Sequence, residues 1–164
     1  MKVGKDQVEF REAFISEINE VARLHNELAY FIQAEAKDVY WDFGILSEEE
    51  ISKHLCTFFN NPERRIYVAR DEERVIGFIT GEIVQCHLPI SSVKKIGYIA
   101  GAFVLPEYRG IGVMKRLEGL ITGYFKECGI KYAEVNFISQ NLIAKKSWAG
   151  LGYHTFREQA RKQL

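Results

Sequence analysis

Tyr98-Ile99-Ala100-Gly101-Ala102-Phe103-Val104-Leu105-Pro106-Glu107-Tyr108-Arg109-Gly110-Ile111-Gly112-Val113-Met114-Lys115-Arg116-Leu117 is the stretch that decides the fold. Its first seven residues are apolar on both faces, the pattern of an interior strand. Pro106 has no amide to give a ladder, so the strand ends before it. A helix then follows, with Met114, Leu117, Ile121, Tyr124 and Cys128 repeating at helical spacing. The glycines between strand and helix let the backbone approach a ligand closely. The first amides of a helix have no partner inside it, and the helix dipole favours negative charge there. Arg109, Gly110, Ile111, Gly112, Val113 and Met114 therefore outline a cradle for a phosphate or diphosphate. Neither G-x-x-x-x-G-K-[ST] nor G-x-G-x-x-G is present, which sets aside a P-loop and a dinucleotide fingerprint.

Working outward, the spacing predicts a strand over 8–13 and a helix from about Ser16, with Ile18, Val21, Ala22, His25 and Leu28 on one face. His25 on that stripe is expected to be a core histidine. From Leu28 to Phe43 the period fades and aromatics accumulate. Ser47 with Glu50 forms a capping box for a second helix through Ile51, Leu55, Phe58 and Phe59. Segments 65–70 and 74–84 form an antiparallel hairpin. After the signature strand and helix, 131–138 predicts a strand parallel to 98–104, with the helix as crossover. A last helix over 139–148 ends at Gly150 and Gly152. Residues 153–164 are expected to form a basic edge strand. The fold class is α/β with α+β character: a mixed central sheet with helices on both faces, ordered β-α-α-β-β-β-α-β-α-β. A length of 164 residues suits one domain, 1–164.

The chain is 47% hydrophobic, and its 22 basic residues balance 22 acidic ones. Zero net charge argues against a broad nucleic-acid or membrane footprint. Three scattered cysteines without a C-x-x-C suggest reduced thiols and a cytoplasmic location. No histidine or cysteine pair has metal-ligand spacing, so no metal site is expected. The N-terminus lacks the apolar core of a leader, and no run is long enough to span a bilayer.

Val104-Leu-Pro-Glu-Tyr-Arg-Gly-Ile-Gly112 resembles the acyl-CoA signature of the GNAT superfamily of N-acetyltransferases, whose core is [Q/R]-x-x-G-x-[G/A]. Met114 departs from it in the last place. Asn141, Ala144, Gly152 and Tyr153 are similar to the family's second signature, N-x-x-A-x-x-x-Y-x-x-x-G-[F/Y]. The resemblance covers nearly the whole chain and implies the GNAT fold, acetyl-CoA as donor and direct acetyl transfer to an amine. It implies that pantetheine lies between two splayed parallel strands, pairing with Val104. It also implies a backbone donor near Phe103, with a bulge at Gly101 or Ala102, facing the thioester oxygen. Asn141 is expected to contact pantetheine while capping its helix. Trp148 stands where the family often has a proton-donating Tyr, and an indole cannot deliver a proton. Ser147 or water is the remaining substitute.

Glu82 is the candidate proton acceptor, with Glu134 second. From Leu28 to Glu50 six acids face one lysine, among Tyr30, Tyr40 and Trp41. Carboxylates and aromatics suit a small cationic amine as acceptor. Two alternatives stay open: an acyl-CoA-binding module without turnover, and an acetyltransferase acting on a protein N-terminus or Lys. A homodimer through the last strand or its neighbours also stays open.

Overall fold

A computed structural model describes residues 8–164. The leader question falls on residues 1–7, outside the described residues. The elements are β1 (Val8–Glu12), α1 (Ile18–Ala36), α2 (Glu48–Cys56), β2 (Arg64–Asp71), β3 (Arg74–Gln85), β4 (Lys95–Val104), α3 (Val113–Glu127), β5 (Ala133–Val135) and α4 (Leu142–Gly150). The strands form one sheet in sequence order, β1-β2-β3-β4-β5. Every neighbouring pair is antiparallel except β4 and β5, which are parallel with α3 as their crossover.

Alternation along the strands sends side chains to opposite faces. Phe78 and Gly101 face α1, where the Phe78 ring meets His25. Gly77, Gly81 and Gly97 face α3. At Gly97 a Cβ would stand 2.3 Å from the Phe125 ring, so only glycine lets α3 settle this close to the sheet. The core is continuous across the sheet, from Val21 and Leu24 on α1, through Val68, Phe78 and Ile79, to Leu117, Ile121 and Phe125 on α3.

The structure extends some expected elements and trims others. α1 runs on to Ala36, past the fading period, and stops where Lys37 turns left-handed at φ 48°. α2 starts at the expected cap, with Ser47 Oγ accepting from the Glu50 amide at 3.3 Å, but ends at Cys56. α3 buries Val113, Leu117, Ile121, Tyr124 and Phe125; Cys128 is its exposed end, not part of the stripe. α4 starts at Leu142 and runs to Gly150, two residues past the expected end, so Gly150 lies inside the helix and only Gly152, at φ 94°, closes it from beyond. There the Gly152 and Tyr153 amides donate back to Ala149 and Trp148, and the Tyr153 ring meets Trp148 edge-on at 5.3 Å.

Two expectations are overturned. β5 is three residues long, not eight, because only Ala133, Glu134 and Val135 find partners in β4. Residues 153–164 form no strand. Beyond Tyr153 every residue is exposed, since the segment has no alternating apolar face to bury. It is held by side chains instead. The Arg161 guanidinium donates to both Asp38 carboxylate oxygens at 2.8 and 2.5 Å. Among the described residues, no helix is long and apolar enough to cross a membrane.

Glu17 joins the start of α1 to the first two strands. Its buried carboxylate accepts from Arg11 at 2.8 and 2.9 Å, from the Phe14 amide at 2.8 Å, and from Arg70. Burial alone would raise this carboxyl, but hydrogen bonds from Arg11, the Phe14 amide and Arg70 prevail and hold it at about 2. The folded pKa lies below the unfolded value of 4.5, so the stability it contributes is full above 4.5 and drains away as pH falls toward 2. Urea unfolding followed from pH 6 to pH 2.5 should therefore show a falling midpoint over ~4.5 to 2.5 in the wild type. Glu17→Gln should lose about 3 kcal/mol near neutral pH and flatten that fall. An unchanged acid limb in the variant would remove Glu17 from this role.

Candidate active site

The turn after β4 is clamped from both sides. Leu105 and Tyr108 are buried, the Leu105 amide donates to Ile76 in β3 at 2.9 Å, and the Tyr108 hydroxyl donates to Asp71 at 2.6 Å. Beyond the clamp, Gly110 and Gly112 take φ values of 77° and 91°, which disfavour any residue with a Cβ. Nothing lies within 4 Å of where a Cβ would stand on either glycine, so both open onto free space. Gly112 is the N-cap of α3, and no side chain accepts from the amides of its first turn. That turn has no acid, whereas α1 and α2 each carry acids in theirs. Unpaired amides, the positive end of a 15-residue helix and bare glycines form a site for an anion. Val113 is buried, and Ile111 and Met114 pack against the core, so the side chains of this turn point inward while its amides stay free. The Met114 departure from the motif therefore leaves the cradle open.

Arg109 borders the cradle. Its Nε donates to the Val104 carbonyl at 2.9 Å, and its guanidinium lies 5.2 Å from the Phe31 ring centroid and 5.3 Å from that of Phe103. Two rings and one carbonyl fix its stem, leaving the guanidinium edge for an incoming anion.

A gap runs from this cradle along β4. The parallel pairing ends at Ile99 with Val135, so Gly101 to Val104 have no strand on that side. The expected bulge lies just before Gly101. The register with β3 steps from Gly81–Ile99 to Thr80–Gly101, making Ala100 the extra residue. One extra residue reverses the alternation. Because the Leu105 amide points to β3, Ala102 and Val104, the residues flanking Phe103, turn their main-chain groups into the gap. These are the free backbone donors on the vacated edge.

The other candidates divide. Asn141 is buried, and its Oδ1 accepts from the Ala144 amide at 3.0 Å, so it caps α4 as expected. Its Nδ2 makes no hydrogen bond among the described residues. Ser147 is exposed on α4, while Trp148 is buried against Tyr153. Glu82 lies on the α1 face of β3, but its carboxylate is engaged by Arg64 Nε at 2.9 Å. Of the acceptor candidates, Tyr30 accepts from the Leu46 amide at 3.3 Å and Trp41 meets Phe43 edge-on. Tyr40 lies 4.3 Å below the Arg161 guanidinium, which also binds Asp38. That hydrogen bond, with a second from the Tyr40 amide, holds the Asp38 carboxyl below its ordinary range. Asp38 also lines a recess with Gln33, Lys37, Val39 and Asp42. The acid-and-aromatic segment thus already binds one cation, the chain's own, through a contact between residues 38 and 161 that no local pattern announces.

Comparison with known families matches residues 25–153 to the acetyltransferase (GNAT) family. Comparison with curated proteins finds no match. Among solved structures, the tetramutant of the BH1408 protein from Bacillus halodurans is similar at a TM-score of 0.82 and 23% identity, with 95% of this chain and 99% of that one covered. AAC(6')-Iy in complex with the bisubstrate analogue CoA-S-monomethyl-acetylneamine is similar at a TM-score of 0.77 and 15% identity, with 96% and 97% covered. The aminoglycoside antibiotic 6'-N-acetyltransferase AAC(6')-Ih from Acinetobacter baumannii gives a TM-score of 0.74 at 15% identity, with 96% and 97% covered. At these identities the likeness is one of fold.

A ligand seated on the cradle stabilises the folded chain by mass action, about 2.7 kcal/mol at 100 times its Kd. CoA at such excess should raise the wild-type Tm by roughly 5 °C or more. Gly112→Val places a Cβ where the φ is 91° and where the amides must be approached. Its CoA-induced shift, measured against the variant's own baseline, should fall below half of the wild-type shift. Equal shifts would place CoA elsewhere.

Proposed function

Because the chain belongs to the acetyltransferase (GNAT) family, we propose that it transfers an acetyl group from acetyl-CoA to the primary amine of a small cationic molecule, by direct attack while both substrates are bound. The observation that carries this is the pairing of the open cradle at Gly110–Gly112 with an adjoining stretch of β4 that has lost its neighbour. Acetyl-CoA supplies a thioester whose carbonyl is open to attack by a free amine.

The residues of this chain divide the remaining work. The amides of Gly112, Val113 and Met114, with Arg109, hold the diphosphate. Ala102 and Val104 offer the main-chain groups that a missing strand would have used. A donor from this edge stabilises negative charge developing on the thioester oxygen, and removing such a donor costs about 3 kcal/mol in comparable sites. The free Nδ2 of Asn141 faces no competing partner among the described residues and suits an amide of the pantetheine arm. No general acid is required of Trp148, since a thiol of pKa about 8.5 leaves readily as thiolate.

A cationic acceptor is supported by Asp38 and Tyr40, which bind a guanidinium in this structure. A small polycation would compete with Arg161 for the same carboxylate and ring. A binding module without turnover is the second reading, favoured by the packing of Trp148 and by the engagement of Glu82 with Arg64.

Thiol release from acetyl-CoA, followed with spermidine, neamine, free lysine and peptides bearing a free N-terminus or Lys, tests the proposal. The polycations should be turned over with kcat/KM at least ~10-fold above the peptides, a preference of about 1.4 kcal/mol. Activity confined to the peptides would contradict the small-molecule reading. Binding of acetyl-CoA without thiol release from any amine would favour the binding module.

A further inference from the structure

We propose that His25 is the base that takes the proton from the attacking amine, its Nε2 held against Gly101 where β4 parts from β5. The inference rests on the gap beside β4 being the thioester site. His25 projects from α1 onto the sheet and stacks on Phe78 with ring centroids 5.7 Å apart and planes 21° apart. A Cβ on Gly101 would stand 3.3 Å from His25 Nε2, 3.3 Å from Thr80 Oγ1 and 3.4 Å from the Phe78 ring. Glycine at 101 thus admits the imidazole to the strand two residues past the last β4–β5 pair.

A histidine serving only the core would be expected to satisfy both ring nitrogens. His25 Nδ1 is sealed from solvent with no partner, and Nε2 makes no hydrogen bond among the described residues. The Thr80 hydroxyl gives its one proton to the Gly101 carbonyl at 3.4 Å, so it has none to donate to the Nε2 lone pair. An unsatisfied imidazole costs stability, and a site that uses its lone pair accounts for that cost. Nδ1 is closed off, so Nε2 is the nitrogen that can exchange a proton with a bound molecule.

Burial pushes the His25 imidazole below its ordinary range, and repulsion from His54 of α2 adds to this, against a small opposing contribution from its own carbonyl. The ring is therefore neutral near pH 7, as a base must be. Of the other charged or titratable groups on this face, Arg109 lies over Phe31 of α1 and Phe103 of β4, at the end of the gap away from β5. Glu82 of β3 is neutralised by Arg64 of β2. Tyr98 of β4 and its register partner Glu134 of β5 lie beyond the bulge. Among these, His25 is the group seated where the strands separate.

The step balances on one proton. The amine nitrogen bonds to the acetyl carbon, and Nε2 accepts the proton that nitrogen sheds. The carbon–sulfur bond breaks and its electron pair leaves with sulfur. The proton then passes from Nε2 to the thiolate, giving amide and free CoA thiol. Returning the proton in this way also supplies the acid that Trp148 cannot.

Histidine NMR resonances of the full chain, with His25 assigned through His25→Gln, provide a test independent of turnover. The His25 resonance should titrate below ~6.5, and acetyl-CoA should move it more than CoA does, because the acetyl group lies at Gly101. With spermidine or neamine as acceptor, His25→Gln should lower kcat at least ~100-fold, abolish its acid limb and leave the KM for acetyl-CoA within about twofold. Added imidazole should restore activity to His25→Ala, which a packing role would not allow. Binding of acetyl-CoA, seen as a raised Tm, with no movement of the His25 resonance would overturn the assignment. So would a variant that keeps its kcat and acid limb. Absence of any acetyl-CoA response, in Tm and in every resonance, would overturn this inference and the thioester site together.

Discussion

A main-chain N–H or C=O removed from water must find a partner, and the outer half of β4 has no strand beside it on one side. The rest of the structure follows from that shortage. α3 has to begin where β4 ends, because it carries the chain across to a parallel neighbour. That neighbour is only three residues long, so the two strands share a start and then separate. The carbonyl of Val104 is taken by Arg109, which places a cation at one end of the gap. The unpaired amides of α3 stand next to it, behind glycines that leave the space open. A ligand with a diphosphate at one end and an amide-bearing arm matches both features in their order along the chain.

Much of this was legible in sequence because the signals were local. Pro106 ended the strand, Gly110 and Gly112 took the positive φ that only glycine takes readily, and Ser47 and Asn141 capped the helices they precede. The hairpin of β2 and β3 followed from two apolar runs around a charged turn. Its tip needed only Glu72 to accept a left-handed φ of 52°. The bulge was legible to within a residue or two; it falls at Ala100, and its effect on alternation makes Ala102 and Val104, not Phe103 itself, the donors facing the gap.

What was illegible depends on contacts far apart in the chain. The final segment has the basic residues of an edge strand but nothing apolar to anchor it, and its actual tether, Arg161 to Asp38, spans 123 positions. The extent of β5 was set by how long β4 stayed beside it, a property of the partner. His25 lay on an apolar stripe and read as core. Only the face presented by Gly101, fixed by the bulge, shows that one ring nitrogen lies at the edge of the gap. Glu82 carried the right chemistry at a plausible position, and only the register with Arg64 in β2 reveals that it is already paired.

In the proposed function, Arg109 and the first amides of α3 together bind the diphosphate of CoA. Calorimetric titration of CoA into wild type and Arg109→Glu, at one ionic strength, tests it most directly. Reversal of charge beside the phosphates should weaken binding at least ~30-fold, about 2 kcal/mol, while the variant stays folded and loses in ligand-free Tm only what the bond to the Val104 carbonyl and the stacking on Phe31 and Phe103 contribute. An unchanged Kd in a folded variant would mean that the diphosphate is held elsewhere.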